Sequence, residues 1–141
     1  MIRTNVQGLL HTVQIFAQGL YTAADAGGRA DVVLVGSAPA EKRTTAYAVY
    51  SAISVAIEQL ARHLRDELGG RGVRVHHVAP YYVASQLGTD MADAERYRMV
   101  QERITDYQPI DPARVADLVS FMIGLPPRAN LAEATIGALR Y

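Results

Sequence analysis

The reading of residues 37–80 decides the fold: SAPAEKRTTAYAVYSAISVAIEQLARHLRDELGGRGVRVHHVAP. The stretch opens with the end of a strand and a polar loop containing Pro39. A long helix is expected over residues 46–68. There Ile53, Ile57, Leu60, Ala61, Leu64 and Leu68 recur at three- and four-residue spacing and make one apolar stripe. Arg62, His63, Arg65, Asp66 and Glu67 fill the outer positions. Gly69, Gly70 and Gly72 end the helix, because glycine closes a helix C-terminus without steric cost. Residues 73–79, VRVHHVA, then read as a second strand that Pro80 stops. Ser37 and Tyr50 stand thirteen residues apart, and a loop folding back onto the helix N-terminus would bring their hydroxyls together.

Working outward, residues 2–25 predict another helix, with Val6, Leu9, Leu10, Val13 and Leu20 as its stripe. Gly27 and Gly28 break it. Residues 31–36, DVVLVG, are apolar on both faces, as a buried parallel strand is. After Pro80 comes a loop, then a polar helix over residues 91–107 with few apolar anchors. Asp111-Pro112 starts a further helix, with Asp at the cap and Pro in the first turn. Val115, Leu118, Val119 and Met122 face its core side, and Pro126-Pro127 ends it. Residues 133–139 read as a last short strand. Helices alternating with strands are the rhythm of an α/β fold with a parallel sheet. Three strands are few for such a sheet, and the first is left with a free apolar edge.

The 141 residues fit a single domain, residues 1–141, and half of them are apolar, enough for a core. Fourteen basic and fourteen acidic residues cancel. That balance argues against a nucleic-acid binder or a polybasic membrane module. The absence of Cys excludes disulfides and thiolate metal sites. His76 and His77 are neighbours on a strand and point to opposite faces, so no metal site is expected there. No apolar run reaches a membrane span and MIRTNVQG lacks a signal-peptide core, so a cytoplasmic protein is expected.

Taken in order, Asn5-Val-Gln-Gly8, the strand ending in Ser37, Tyr50 opening a long helix, and Arg71-Gly-Val-Arg-Val-His-His-Val-Ala-Pro80 resemble the C-terminal half of a short-chain dehydrogenase/reductase. The resemblance covers nearly the whole chain. It implies part of a Rossmann-type parallel sheet in three α/β/α layers. In that family the catalytic Tyr follows the Ser by thirteen residues and precedes the strand-ending Pro by thirty; Tyr50 meets both spacings and Tyr47 neither. The resemblance implies that Tyr50 exchanges a proton with a small carbonyl or alcohol substrate, that Ser37 holds the substrate oxygen, and that Asn5 supports a water chain. It also implies NAD or NADP as cofactor, with Tyr50, Pro80, Val83 and Ser85 along the nicotinamide side. Homo-oligomers through the two long helices are implied as well.

The sequence departs from the family pattern in three places. Ser54 stands where the family has the Lys of Tyr-x-x-x-Lys. That Lys lowers the Tyr pKa and binds the nicotinamide ribose, and an unassisted Tyr titrates near ~10. Tyr81 stands where the family has Gly after the Pro. No G-x-G-x-x-G phosphate loop lies in the chain. Two functions follow for test: a truncated or divergent oxidoreductase that is inactive alone, or a non-catalytic domain serving in oligomerisation or partner binding. Ser37 alone reads as a loop residue, Asn5 alone as a helix-start polar residue, and Ser54 as a locally bonded hydroxyl; the paired spacing is what lifts Ser37 and Tyr50.

Overall fold

The structure is a computed structural model that describes residues 1–38, 47–87, 89 and 93–139, apart from the side chains of Arg96 and Arg103. Most of the loop expected between Ser37 and the long helix, with Glu41 and Lys42, lies outside the described residues.

Three strands form one parallel sheet in the order β1-β2-β3: β1 is Asp31–Val35, β2 is Arg74–Pro80 and β3 is Glu133–Ile136. β2 lies in the middle and is buried along its whole length. Its Val75 and Val78 enter the core, and its polar Arg74, His76 and His77 are buried with them. Helix α1 (Leu9–Asp25) and helix α2 (Ala48–Gly69) cover one face. Their stripes close a core in which Leu34, Ile53, Ile57, Ala61, Leu64, Leu68 and Val75 are buried, with Val13 and Leu20 packed against it. Helix α3 is Ala94–Asp106, and helix α4 is Pro112–Gly124. α4 packs against β2 on the opposite face, where Met122 is fully buried. The layers are therefore α/β/α, as the helix–strand alternation predicts.

The expected helix boundaries shift in two informative places. The first helix is not uniform, because Ile2–Gly8 forms a π-helical segment before α1 begins. The strand over residues 73–79 runs on to include Pro80. Pro80 keeps its carbonyl in the ladder, accepting from Ala38 N at 2.9 Å. The cap expected at Asp111 forms, its side chain accepting from Ala113 N at 2.7 Å. A carboxylate there satisfies one of the unpaired amides of the first turn.

The N-terminal end of the sheet is closed by charge. Arg74 at the start of β2 reaches Asp31 at the start of β1 through two nitrogens, at 2.7 and 3.0 Å. The same guanidinium donates to the carbonyls of Ile123, Leu125, Pro126 and Ala129, which stops α4 and the turn after it. His76 joins the cluster, Nε2 lying 2.9 Å from Asp31 Oδ1 and Nδ1 2.8 Å from Leu131 O. Burial alone pushes the Asp31 carboxyl up, but the hydrogen bonds and charges of Arg74 and His76 outweigh it and hold the carboxyl below its ordinary value.

Candidate functional site

The C-terminal end of the sheet gathers the residues that the spacing singles out. Ser37 follows β1 by two residues and is half-buried. Tyr50 lies in the first turn of α2 and is also half-buried. α2 descends from that end: near its far end Arg65 donates to Val75 O low on β2. Tyr50 is therefore carried to the same rim as Ser37, beyond the strand ends, where parallel α/β sheets hold their ligands. Among the described residues no hydrogen bond joins the two hydroxyls. Among the described residues Ser37 Oγ has only Ala38 O, at 3.5 Å, too long to hold it. The Tyr50 ring rests edge-on against Tyr47, with centroids 5.8 Å apart.

Ser54 is buried and donates to Tyr50 O at 3.0 Å. This is the local bonding of a helical Ser onto the carbonyl one turn back. It points the hydroxyl into α2 and leaves Tyr50 with no cation one turn away. Asn5 lies exposed in the π-helical segment, its backbone N–H donating to Met1 O at 2.8 Å. Pi-helical turns recur at functional sites, which gives Asn5 a local feature that its sequence context does not show.

Pro80, Val83 and Ser85 trace the way out of β2. Val83 bridges to Ile110, with Ala84 N donating to Ile110 O and Ile110 N to Tyr82 O. This ties the loop to Ile110, two residues before α4. Ser85 is exposed, with Leu87 N at 3.4 Å from its Oγ. Tyr82 stacks on Tyr107 at 4.7 Å. Tyr81 packs on Gly137, where an added Cβ would meet the Tyr81 Cβ at 2.9 Å. Gly137 is thus the residue that makes room for Tyr81, and the two are paired across the ends of β2 and β3.

The residue that sequence reasoning set aside is His77. It lies on the face opposite His76, beneath α2, and is 3% exposed. Its Nε2 is buried with no hydrogen-bond partner among the described residues. The ring fills the space left by Gly36, where a Cβ would stand 2.6 Å from Nε2. Burial pushes the imidazole below its ordinary value and keeps it neutral; Glu58 and Glu133 oppose this, while Arg62 and Arg65 add to it. His77 therefore sits one residue from Ser37, through Gly36. A glycine ending β1 is the sequence signal that could have pointed to it.

A whole dinucleotide does not fit these residues alone. The rim offers Ser37 and Tyr50 to a reacting oxygen, but the space at Gly137 is taken by Tyr81, Ser54 is turned into α2, and the sequence holds no Gly-rich phosphate loop. Among the described residues no group of three or more His, Asp or Glu could hold a metal ion. No described helix is long and apolar enough to cross a membrane.

Comparison with known proteins adds an independent line. A family model described as short chain dehydrogenase matches residues 1–96. Sulfoacetaldehyde reductase 2 of Chromohalobacter salexigens is 30% identical over 137 residues, which is 93% of this chain and 50% of that protein. Senescence-associated protein 13 of Arabidopsis thaliana is 28% identical over 96% of this chain and 49% of its own. The chain thus spans about half the length of the curated relatives it matches. Among solved structures, the closed form of serine dehydrogenase complexed with NADP+ superposes over 99% of this chain and 54% of its own, with TM-score 0.79 and 21% identity. A 3-ketoacyl-(acyl-carrier-protein) reductase from Brucella melitensis complexed with NADH superposes with TM-score 0.76 at 18% identity, over 96% and 54% of the two chains. At such identities these structures speak for the fold alone.

Proposed function

Because this chain belongs to the short-chain dehydrogenase family, we propose that it is the substrate-side half of an NAD(P)-dependent oxidoreductase acting on a small carbonyl or alcohol. The reading is supported by Ser37, two residues past β1, and Tyr50, in the first turn of α2, both toward the C-terminal end of the sheet; among the described residues Ser37 Oγ has only a long contact to Ala38 O. Ser37 holds the substrate oxygen and Tyr50 exchanges a proton with it. Asn5 supports the water that refills Tyr50. Pro80, Val83 and Ser85 border the nicotinamide side. NAD or NADP supplies the hydride when bound, and a phosphate-binding element outside these residues holds its pyrophosphate. A cytoplasmic location and homo-oligomers through α1 and α2 belong to the same reading. Ile15, Phe16, Val49 and Val55 stand exposed on those helices, as an interface would require.

A second reading, a domain that has lost catalysis and keeps its surfaces for association, is favoured by Ser54. Its hydroxyl is spent on Tyr50 O where a cation would lower the Tyr pKa. The two readings separate when the chain is joined to a phosphate-binding half and assayed for NADPH-dependent carbonyl reduction. Turnover that Tyr50→Phe and Ser37→Ala each cut by roughly a hundredfold or more supports the enzyme. NADPH binding without any turnover, even in Ser54→Lys, supports the second reading.

A further inference from the structure

Beneath α2 the His77 ring and Gly36 divide one space. Leu34, the ladder partner of His77, lies in the core on the α2 side of the sheet, so the imidazole shares that face. A Cβ at Gly36 would stand 2.6 Å from His77 Nε2, so nothing larger than glycine fits beside the ring as it lies. Gly27 and Gly72 are the described glycines with positive φ, so Gly36 is a glycine for room rather than for backbone freedom. The β1–β2 ladder runs on past this contact. Gly36 N donates to Val78 O at 2.8 Å and Ala38 N to Pro80 O at 2.9 Å. Ser37 hangs between those two bonds, so whatever displaces Gly36 displaces Ser37.

A neutral imidazole suits this place and a charged one does not. The ring is buried, and Nε2 has no hydrogen-bond partner among the described residues. The charged groups that act on it are Glu58, Arg62 and Arg65 of α2 and Glu133 of β3, two of each sign. Both carboxylates already meet Arg62, at 2.6 and 2.8 Å. Arg65 is fixed on Val75 O and Ala132 O. β1 adds Asp31 alone, on the opposite face and held by Arg74 and His76. Among the described residues a proton on the ring therefore finds neither an acceptor at Nε2 nor an unmatched countercharge. Burial accordingly holds the imidazole below its ordinary value.

We propose that His77 is a positioning residue: its neutral ring, packed on Gly36, holds Ser37 at the rim, and protonation of the ring opens this end of the β1–β2 ladder. The rim is thereby assembled at neutral pH and released in acid. What Ser37 does when held rests on the oxidoreductase reading; the packing that holds it does not. Where opening brings the ring to water, it is favoured about tenfold for each pH unit between 6.5 and the lower folded value.

Hydrogen exchange of the Gly36 and Ala38 amides, followed by NMR in the 141-residue chain, reads the opening directly. Exchange is measured at low urea, where a local opening does not depend on denaturant and global unfolding does. The expected result is urea-independent exchange at both amides, with protection that falls roughly tenfold or more from about pH 7 to about pH 5. Asp31, held below its ordinary 3.8, stays charged over that range. His77→Leu keeps an apolar body on Gly36 and should make the protection flat with pH. His77→Ala should lower it at both pH values, and Gly36→Ala in the same chain should restore it by filling the space the ring left. Protection that does not change with pH overturns the proposal. So does a fall that persists in His77→Leu, or exchange that follows urea throughout. The same pH series on NADPH-dependent carbonyl reduction, by the chain joined to a phosphate-binding half, separates the two claims. Acid opening without turnover keeps the role of His77 and sinks the oxidoreductase reading; turnover beside protection that is flat with pH does the reverse.

Discussion

The two ends of this sheet treat their polar groups in opposite ways. At the N-terminal end the buried Arg74 and His76 and the half-buried Asp31 meet one another and five carbonyl oxygens at hydrogen-bond distance. Among the described residues, Ser37 Oγ at the C-terminal end has one long contact, and in the middle of β2, on the face opposite His76, His77 Nε2 is buried beside Gly36 with no hydrogen-bond partner. Adjacent histidines on one strand thus lie on opposite sides of the contrast. A polar group that serves the fold is satisfied within it, because leaving it unmade costs about 1–3 kcal/mol. Groups left open gather where a ligand would complete them. The comparison separates architecture from site without appeal to any relative.

The strongest way to break the contrast is at the satisfied end. Arg74→Met strips Asp31 of its main partner and uncaps α4, and a loss of about 3–5 kcal/mol in urea unfolding is expected. A loss below about 1 kcal/mol would place the cluster outside the stability of the fold.

Acid titration tests both sides of the contrast in one experiment. The folded Asp31 carboxyl lies below its unfolded value of 3.8, so its contribution is present above that pH and disappears as pH falls through the lower folded value. The His77 ring lies below its unfolded 6.5, so the unfolded chain takes up the proton first and stability falls as pH drops below 6.5. Two separate limbs are expected in stability against pH. His77→Leu should remove the upper limb and leave the lower one intact.

At neutral pH the same His77→Leu should change stability by less than about 1 kcal/mol, in either direction, because Nε2 has no hydrogen-bond partner among the described residues. A cost above about 3 kcal/mol would mean that His77 is as embedded as Arg74 and that the contrast is false.

Much of the architecture is legible in the residues. The helix stripes, the Asp111 cap and the apolar run of β1 all follow from local pattern, and the Ser37–Tyr50 spacing points to one rim. What escapes depends on contacts between distant positions. Arg65 reads as a solvated helix residue, yet it reaches the carbonyls of Val75 and Ala132. Arg74 reads as one polar residue in a strand; its task of ending α4 depends on a turn some fifty residues later. Tyr81 reads as an obstruction, and Gly137, which makes room for it, lies beyond two helices. The π-helical segment around Asn5 leaves no periodic signature in seven residues.

The central claim, that the open end is a reacting rim lacking its phosphate-binding partner, is tested most directly by titrating the unaided chain with NADPH and following fluorescence. A hydride-transfer assay on a simple ketone completes the measurement. The expected result is no saturation in the micromolar range and no turnover, unchanged by Ser54→Lys, because a restored cation leaves the pyrophosphate unheld. Micromolar binding with measurable turnover by the unaided chain would contradict the claim.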